Sequence, residues 1–251
     1  MLDAGSGPGR FTADLGAPGT ARRVAVDLGR EMLVELIDRW PRGNSADPIA
    51  FVVRGDAGQL PFPPATFDVV AALGNLVGFA GMQAPRVLGS VVDALAPGGT
   101  LLLEVAPGSG EHSRYLRRLP SSSVARLLRA PTRAVATRIE REGFAPEPMR
   151  KEVPGEFVRV DPVLLAVDLT SKGFRVEEML AVAPALGADG DRTAAVARDP
   201  KAWEHLLMVE EQLGRTPERW SRAAAVLVAA TAPGDVPPVG ASVVAPKRRI
   251  K

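Results

Sequence analysis

The order of apolar runs in this chain predicts an α/β fold with a mainly parallel sheet and helices on both faces. Two observations carry that reading. Short, β-branched apolar runs alternate with helical patterns over the first hundred residues, and a Gly-rich turn, Gly5-Ser6-Gly7-Pro8-Gly9, links the first run to a following helix. Parallel strands joined by crossover helices leave this alternation in a sequence.

Taken in order, residues 1–4 are the remnant of a first strand and 23–26 form a second. A helix spans 30–40, because Met32, Leu33, Leu36 and Ile37 fall on one face at helical spacing. Residues 49–54 read as a third strand. Residues 67–73 read as a fourth, since Asp68-Val69-Val70-Ala71-Ala72-Leu73 is too short and too β-branched for a helix. A helix over 84–95 buries Leu88, Val91, Val92 and Leu95; it stops at Pro97-Gly98-Gly99, and a fifth strand follows over 100–106. The pattern then blurs. Residues 113–119 and 123–128 read as short helices separated by Pro120, and 137–160 as a hairpin turning at Gly143 and at Pro154-Gly155. Regularity returns with a helix over 162–171, a strand over 174–182, a helix over 203–213 and a last strand over 223–231, which makes seven strands. Four units follow: a first half of the core (1–106), an insertion (107–160), the remainder of the core (161–232) and a Pro-rich basic tail (233–251) of disordered composition.

Composition excludes several classes. The chain has no Cys, so it has no disulfide, thiol nucleophile or thiolate metal site. Charges, Gly or Pro interrupt every apolar stretch before the ~18 residues a membrane span needs, and the first residues lack the basic start and apolar run of a signal peptide. The expected compartment is the cytoplasm. The net charge of +2 conceals an asymmetry: residues 107–160 hold eleven Lys or Arg against six Glu. A basic segment of this kind suits an anionic partner, and a solvated helix face gives the same count.

The segment Asp3-Ala4-Gly5-Ser6-Gly7-Pro8-Gly9-Arg10 carries the chemistry. Gly at alternate positions lets the backbone turn sharply and approach a ligand closely, and the helix beyond favours a carboxylate. A dinucleotide fingerprint needs a third Gly where Arg10 stands, or Thr12 if it starts at Gly7, and a phosphate loop needs a Gly-Lys-Ser/Thr ending that is absent. The pattern D-x-G-x-G-x-G instead resembles the first motif of the class I, Rossmann-like S-adenosylmethionine-dependent methyltransferases. The resemblance covers 1–106 well and 162–232 loosely. It is supported by Leu60-Pro61-Phe62 and Phe67-Asp68 ahead of the fourth strand, and by Leu95-Ala96-Pro97-Gly98-Gly99 ahead of the fifth.

The resemblance implies S-adenosylmethionine as cofactor. Gly5, Ser6, Gly7 and Gly9 form the loop against it, and Asp3 lies near its methionine amino group or supports the loop. Asp27, with Leu28 beside it, holds the ribose hydroxyls or caps the next helix. Asp56 meets the adenine amino group or is an ordinary turn residue, with Ala57 supplying a backbone amide, and Gly74, after the fourth strand, is a further cofactor contact. Family members carry a helix ahead of the first strand; here the chain begins inside that strand, so a cover over the cofactor is expected from the insertion, another subunit or sequence upstream.

Methyl transfer requires mainly that two reactants be held close, aligned and dry. The fourth strand is followed by Leu73-Gly74-Asn75-Leu76 rather than the Asn/Asp-Pro-Pro-Tyr/Phe of base-modifying relatives, which favours a small-molecule acceptor. Asn75 orients a substrate or serves a turn. His112, beside Glu111, is a candidate base or an exposed loop residue, and Tyr115 is a candidate pocket wall. The insertion is the expected substrate lid. Two other readings stay open: a nucleic-acid methyltransferase that sets Arg114, Arg117, Arg118, Arg126 and Arg129 against phosphates, and a non-catalytic partner subunit, with apolar positions in 223–231 suited to a homo-oligomer. No metal is expected, because no His and carboxylate cluster has ligand spacing.

Overall fold

The structure, a computed structural model, describes residues 1–12, 22–39, 49–107, 111–146, 158–182, 185 and 190–234. In chain order its elements are β1 (Leu2–Ala4), β2 (Arg23–Asp27), α1 (Arg30–Arg39), β3 (Ile49–Arg54), β4 (Phe67–Ala72), α2 (Leu76–Phe79), α3 (Ala84–Asp93), β5 (Leu95–Val105), β6 (Glu111–Ser113), α4 (Arg114–Arg118), α5 (Ser121–Leu127), α6 (Thr132–Glu142), β7 (Phe144–Pro146), α7 (Pro162–Ser171), β8 (Arg175–Ala181), α8 (Gly190–Ala197), α9 (Pro200–Gly214) and β9 (Val226–Thr231).

Seven strands form one sheet in the order β3-β2-β1-β4-β5-β9-β8, parallel from β3 to β5, with β9 antiparallel to both its neighbours. The class predicted from the sequence is therefore the class observed. From β1 the chain builds outward to β3, then returns to place β4 on the other side of β1. This reversal opens a crevice beyond the strand ends, where open α/β sheets bind ligands. The central strands read as unbroken apolar runs because both faces are covered: Leu2, Ala4, Val26, Val70, Leu101 and Leu103 are fully buried. On one flank α1 packs Leu33 and Leu36 inward, and Val91 of α3 with Leu165 and Leu169 of α7 joins the main core.

Local departures from the expected elements have physical causes. The helix over 84–95 ends at Asp93, and Leu95 already belongs to β5, paired with Phe67. Pro97-Gly98-Gly99 is an irregularity within that strand, where the register jumps before Val69 meets Thr100 and Gly98 takes φ +71°. Gly99 fits there because a Cβ would stand 2.8 Å from the Ala96 carbonyl oxygen. The expected hairpin over 137–160 is not what forms at its start. Residues 132–142 are helix α6, with Val135, Ala136 and Ile139 buried, despite the β-branched Thr132, Val135, Thr137 and Ile139. Tertiary burial of that stripe outweighs β propensity. Gly143, at φ +78°, ends the helix, and β7 then pairs antiparallel with β6. Pro154-Gly155 and the tail from 235 onward lie outside the described residues.

A second core lies beside the sheet. Leu116, Val124, Leu128, Val135 and Ile139 from the segment after β5 pack against Val196, Ala202, Leu206, Val209 and Leu213 from α8 and α9. Polar contacts cross the same junction: Arg192 donates to the carbonyls of Arg117 and Leu119 at 2.6 and 3.0 Å, and Arg129 Nε donates to Asp199 at 2.9 Å. The insertion is thus one half of a unit whose other half arrives after β8.

Candidate cofactor and active site

β1 ends at Ala4 and the backbone turns through Gly5, Gly7 and Gly9 at φ +68°, +52° and +81°. These values favour residues without a Cβ. At Gly5 space forbids one as well, since a Cβ would lie 2.6 Å from Leu76 Cδ1. The loop is tied to β2: Ser6 N–H donates to the Val26 carbonyl at 3.0 Å, and Gly7 N–H donates to Asp27 Oδ2 at 2.8 Å. The other oxygen of Asp27 accepts Gly29 N–H at 2.7 Å. Each carboxylate oxygen keeps further acceptor capacity, so Asp27 offers a charged, oriented acceptor at the open end of β2. Leu28 beside it is largely exposed.

Asp3 lies one residue before the loop, 3% exposed, and accepts Thr12 Oγ1 at 2.5 Å. Burial pushes its carboxyl up to about 6, partly offset by the Thr12 bond, with a small further rise from the nearby Asp27 charge. Asp3 therefore holds the far end of the loop by a hydrogen bond, in a place where a positive group would find a poorly solvated carboxylate.

The third strand delivers Asp56 and Ala57 to the same edge. Gly55 N–H donates to the Asp27 carbonyl at 3.0 Å, and Asp56 accepts Gly58 N–H at 2.8 Å, starting a short 3-10 turn in which Ala57 is buried. Arg86 stands 3.7 Å from Asp56. Across the crevice, β4 gives way to Gly74 at φ +65° and Asn75 at φ +59°. Asn75 is buried, and its Oδ1 accepts Ala106 N–H at 3.1 Å, pinning the end of β4 to the end of β5. Leu76 touches Gly5, so the two loops meet.

Asp3, Gly5, Ser6, Gly7, Gly9, Asp27, Leu28, Asp56, Ala57, Gly74 and Asn75 thus occupy adjoining strand ends. The two remaining candidates are elsewhere in the chain's architecture. His112 is on β6 opposite Ala145, and its side chain lies outside the described residues. Tyr115 packs on the second core with the Arg138 guanidinium 4.9 Å over its ring. One carboxylate escaped the sequence reading: Glu104, whose Oε2 accepts Gly74 N–H at 2.9 Å. Its signal was present as an acid inside the apolar run Leu101-Leu102-Leu103-Glu104-Val105. A cavity of about 830 Å³ between α3 and α7 is lined by Leu88, Val92, Leu165 and Phe174 and includes none of these residues. It is apolar and lies apart from the loops at the strand ends.

Residues 1–99 match the family described as a methyltransferase domain. The match covers less than half of the chain, and over it the sequence resembles a methyltransferase domain of the S-adenosylmethionine-dependent class. Solved structures share its fold. One is a S-adenosylmethionine-dependent methyltransferase from Methanosarcina mazei, at 15% identity and a TM-score of 0.52, covering 93% of this chain and 92% of that one. Another comes from the complex between the Haloferax volcanii Trm112 methyltransferase activator and a methyltransferase, at 18% identity and a TM-score of 0.51, covering 92% of this chain and 81% of that one. A third is Haemonchus contortus phospholethanolamine N-methyltransferase 2, at 17% identity and a TM-score of 0.52, covering 93% of this chain and 48% of that one. No curated protein matches the sequence. Among the described residues no helix is long and apolar enough to cross a membrane, and no group of His and carboxylates could hold a metal ion.

The loop geometry fits the cofactor of this class. Gly5 leaves a cradle that a Cβ would fill, and Asp27 presents oxygens already held by backbone amides.

Proposed function

We propose that this chain is a methyltransferase that binds S-adenosylmethionine at the β1, β2 and β3 ends and transfers its methyl group to a nitrogen or oxygen of a small molecule in the cytoplasm. The observation that supports it most is Asp27, whose carboxylate braces the Gly loop on one side and the start of α1 on the other while facing the crevice. When bound, the cofactor supplies an electrophilic methyl on a sulfonium. The protein's share is to hold, orient and dry the reactants. Asp27 takes the ribose hydroxyls, Asp3 the amino group, and Gly5, Ser6, Gly7 and Gly9 the carboxylate end. Leu28, Asp56 and Ala57 frame the base, and Gly74 and Asn75 line the acceptor side. The lid is the unit around α4 to α6, which carries His112 as the candidate base and Tyr115 as the candidate wall. Calorimetric titration with S-adenosylmethionine and S-adenosylhomocysteine tests this reading. Micromolar binding that Asp27→Ala removes supports it, and a folded chain that binds neither refutes it.

A second reading has one observation in its favour. Arg114, Arg118, Arg126, Arg133 and Arg141 are all exposed on α4, α5 and α6. Nucleic acid on that surface would give binding that falls steeply with salt, and salt-insensitive or absent binding to RNA and DNA removes it.

A further inference from the structure

Glu104 is an unusual residue for its place. It stands one position before the end of β5, a central strand whose Leu101, Leu103 and Val105 are fully buried. Central strands are apolar on both faces, and Glu104 is a half-buried carboxylate at the open end of one. Its Oε2 accepts Gly74 N–H at 2.9 Å. Among the described residues it has no cationic partner. A backbone amide alone does not call for a carboxylate, because a neutral amide oxygen accepts the same bond.

The position of that charge is informative. Gly74 follows β4, which neighbours β1, and its open side is 3.9 Å from Phe11 Cε2, measured from where a Cβ would be. Two residues on, Leu76 presses against Gly5. Glu104 therefore sits on the crevice side away from Asp27, next to the junction of the Gly loop with the end of β4. If Asp27 faces the ribose, the acceptor enters between the loop and Glu104. With Oε2 held by the Gly74 amide, Oε1 is the oxygen left for a ligand.

We propose that Glu104 binds the methyl acceptor directly and that the acceptor is a cationic amine; this rests on the cofactor reading above. Glu104 accepts an N–H of the ammonium and takes one proton from it, passing the proton on to water. The freed nitrogen lone pair then forms the C–N bond as the methyl's C–S bond breaks, its electron pair remaining on sulfur, and the product leaves as a methylated ammonium. Once the nitrogen is neutral its lone pair is free, and the methyl transfer itself needs no further base.

The test compares two ligands on wild type and Glu104→Gln by calorimetry. One is S-adenosylhomocysteine; the other is an analogue carrying C–NH3+ in place of the cofactor's S–CH3, which puts an ammonium where the transferred group lies. Glutamine keeps an oxygen for the Gly74 amide, so a purely structural Glu104 leaves both affinities alike. The proposal expects S-adenosylhomocysteine to change by less than about twofold and the ammonium analogue to weaken by about tenfold or more. An equal change for both ligands, or none, overturns it while leaving the cofactor reading intact. If wild type binds neither ligand, the cofactor reading fails and this proposal with it.

Discussion

Asp27 accepts the N–H of Gly7 at 2.8 Å, so a residue at the end of β2 sets the shape of the loop that leaves β1. The bond crosses twenty residues of sequence and makes the loop's conformation depend on a neighbouring strand's carboxylate. Asp27→Ala removes the acceptor for two backbone donors and the charge that would face a ribose. Hydrogen bonds to charged groups contribute about 1.5–3 kcal/mol each, so cofactor affinity should fall by about tenfold to a hundredfold in calorimetry. Asp27→Asn keeps one acceptor oxygen and should fall between wild type and alanine. Unchanged affinity in both variants would show that the carboxylate does not touch the cofactor.

Gly5→Ala tests the cradle. The new methyl meets Leu76 Cδ1 at 2.6 Å and sits on a backbone at φ +68°. Overpacking costs about 1–3 kcal/mol, and the left-handed conformation adds about 1 kcal/mol. The melting temperature should drop and cofactor binding weaken together. Gly7→Ala makes the contrast, because nothing lies within 4 Å of its added Cβ and only the backbone term applies; a larger loss at Gly7 than at Gly5 contradicts the packing argument.

Asp3 predicts a pH dependence. Its carboxyl rises to about 6 in the folded chain against 3.8 without burial, so the folded state binds the proton more tightly than the unfolded state. The stability that this proton contributes is complete below about pH 4 and is lost as pH rises through about 6. The rise corresponds to about 3 kcal/mol. Asp3→Asn retains an oxygen for Thr12 and removes the titration, so chemical denaturation of this variant should lose that part of the decline between pH 4 and 7. A wild-type slope that survives the substitution would assign it to other groups.

The second core predicts mutual dependence of two distant segments. Leu206→Ala in α9 opens a cavity in a cluster that Leu128 and Ile139 share, built from both segments, at a cost of about 2–4 kcal/mol. Limited proteolysis should then cut within 111–146 as well as within 190–214. Deleting the insertion outright strips the apolar face of α8 and α9 and should give an aggregating chain, so exchange of surface residues is the informative way to probe substrate choice. Cleavage confined to α9 would show that the two segments are not energetically joined.

These relationships explain what the sequence could disclose. The sheet was legible because its strands are apolar runs bounded by Gly, Pro or Asp, and the Gly loop because D-x-G-x-G-x-G follows a strand directly. The places of Asp27, Asp56 and Gly74 at or just beyond strand ends were legible too. Glu104 was passed over because it reads as an interruption of an apolar run, and its use appears only when β4 and β5 are paired and the Gly74 amide is seen to point at it. The second half of helix α6 reads as a hairpin arm because Gly143 and Pro154-Gly155 look like its turns; the partner stripe that makes it a helix lies about seventy residues downstream. The union of the insertion with α8 and α9 left no local trace, since neither half has a complete core alone.

Asn75 joins fold to site most directly. It is a non-glycine residue in the left-handed region, φ +59° and ψ +36°, which asparagine tolerates better than most residues. Its Oδ1 satisfies the buried N–H of Ala106 at 3.1 Å, and its amide lies against Gly78, where a Cβ would come within 2.6 Å. Asn75→Ala leaves that donor without a partner, at about 1–3 kcal/mol, and adds left-handed strain of about 1 kcal/mol. Asn75→Gly relieves the strain and keeps the lost bond, so the difference between the two variants in urea denaturation isolates the backbone term. Because Glu104 and Ala106 share the end of β5, loosening this tie should also disturb the Gly74 amide that Glu104 holds. Asn75→Gly is therefore expected to weaken the ammonium analogue more than S-adenosylhomocysteine, in the direction of Glu104→Gln but less steeply. A variant that is destabilised yet binds both ligands as wild type does would confine Asn75 to holding the strand ends.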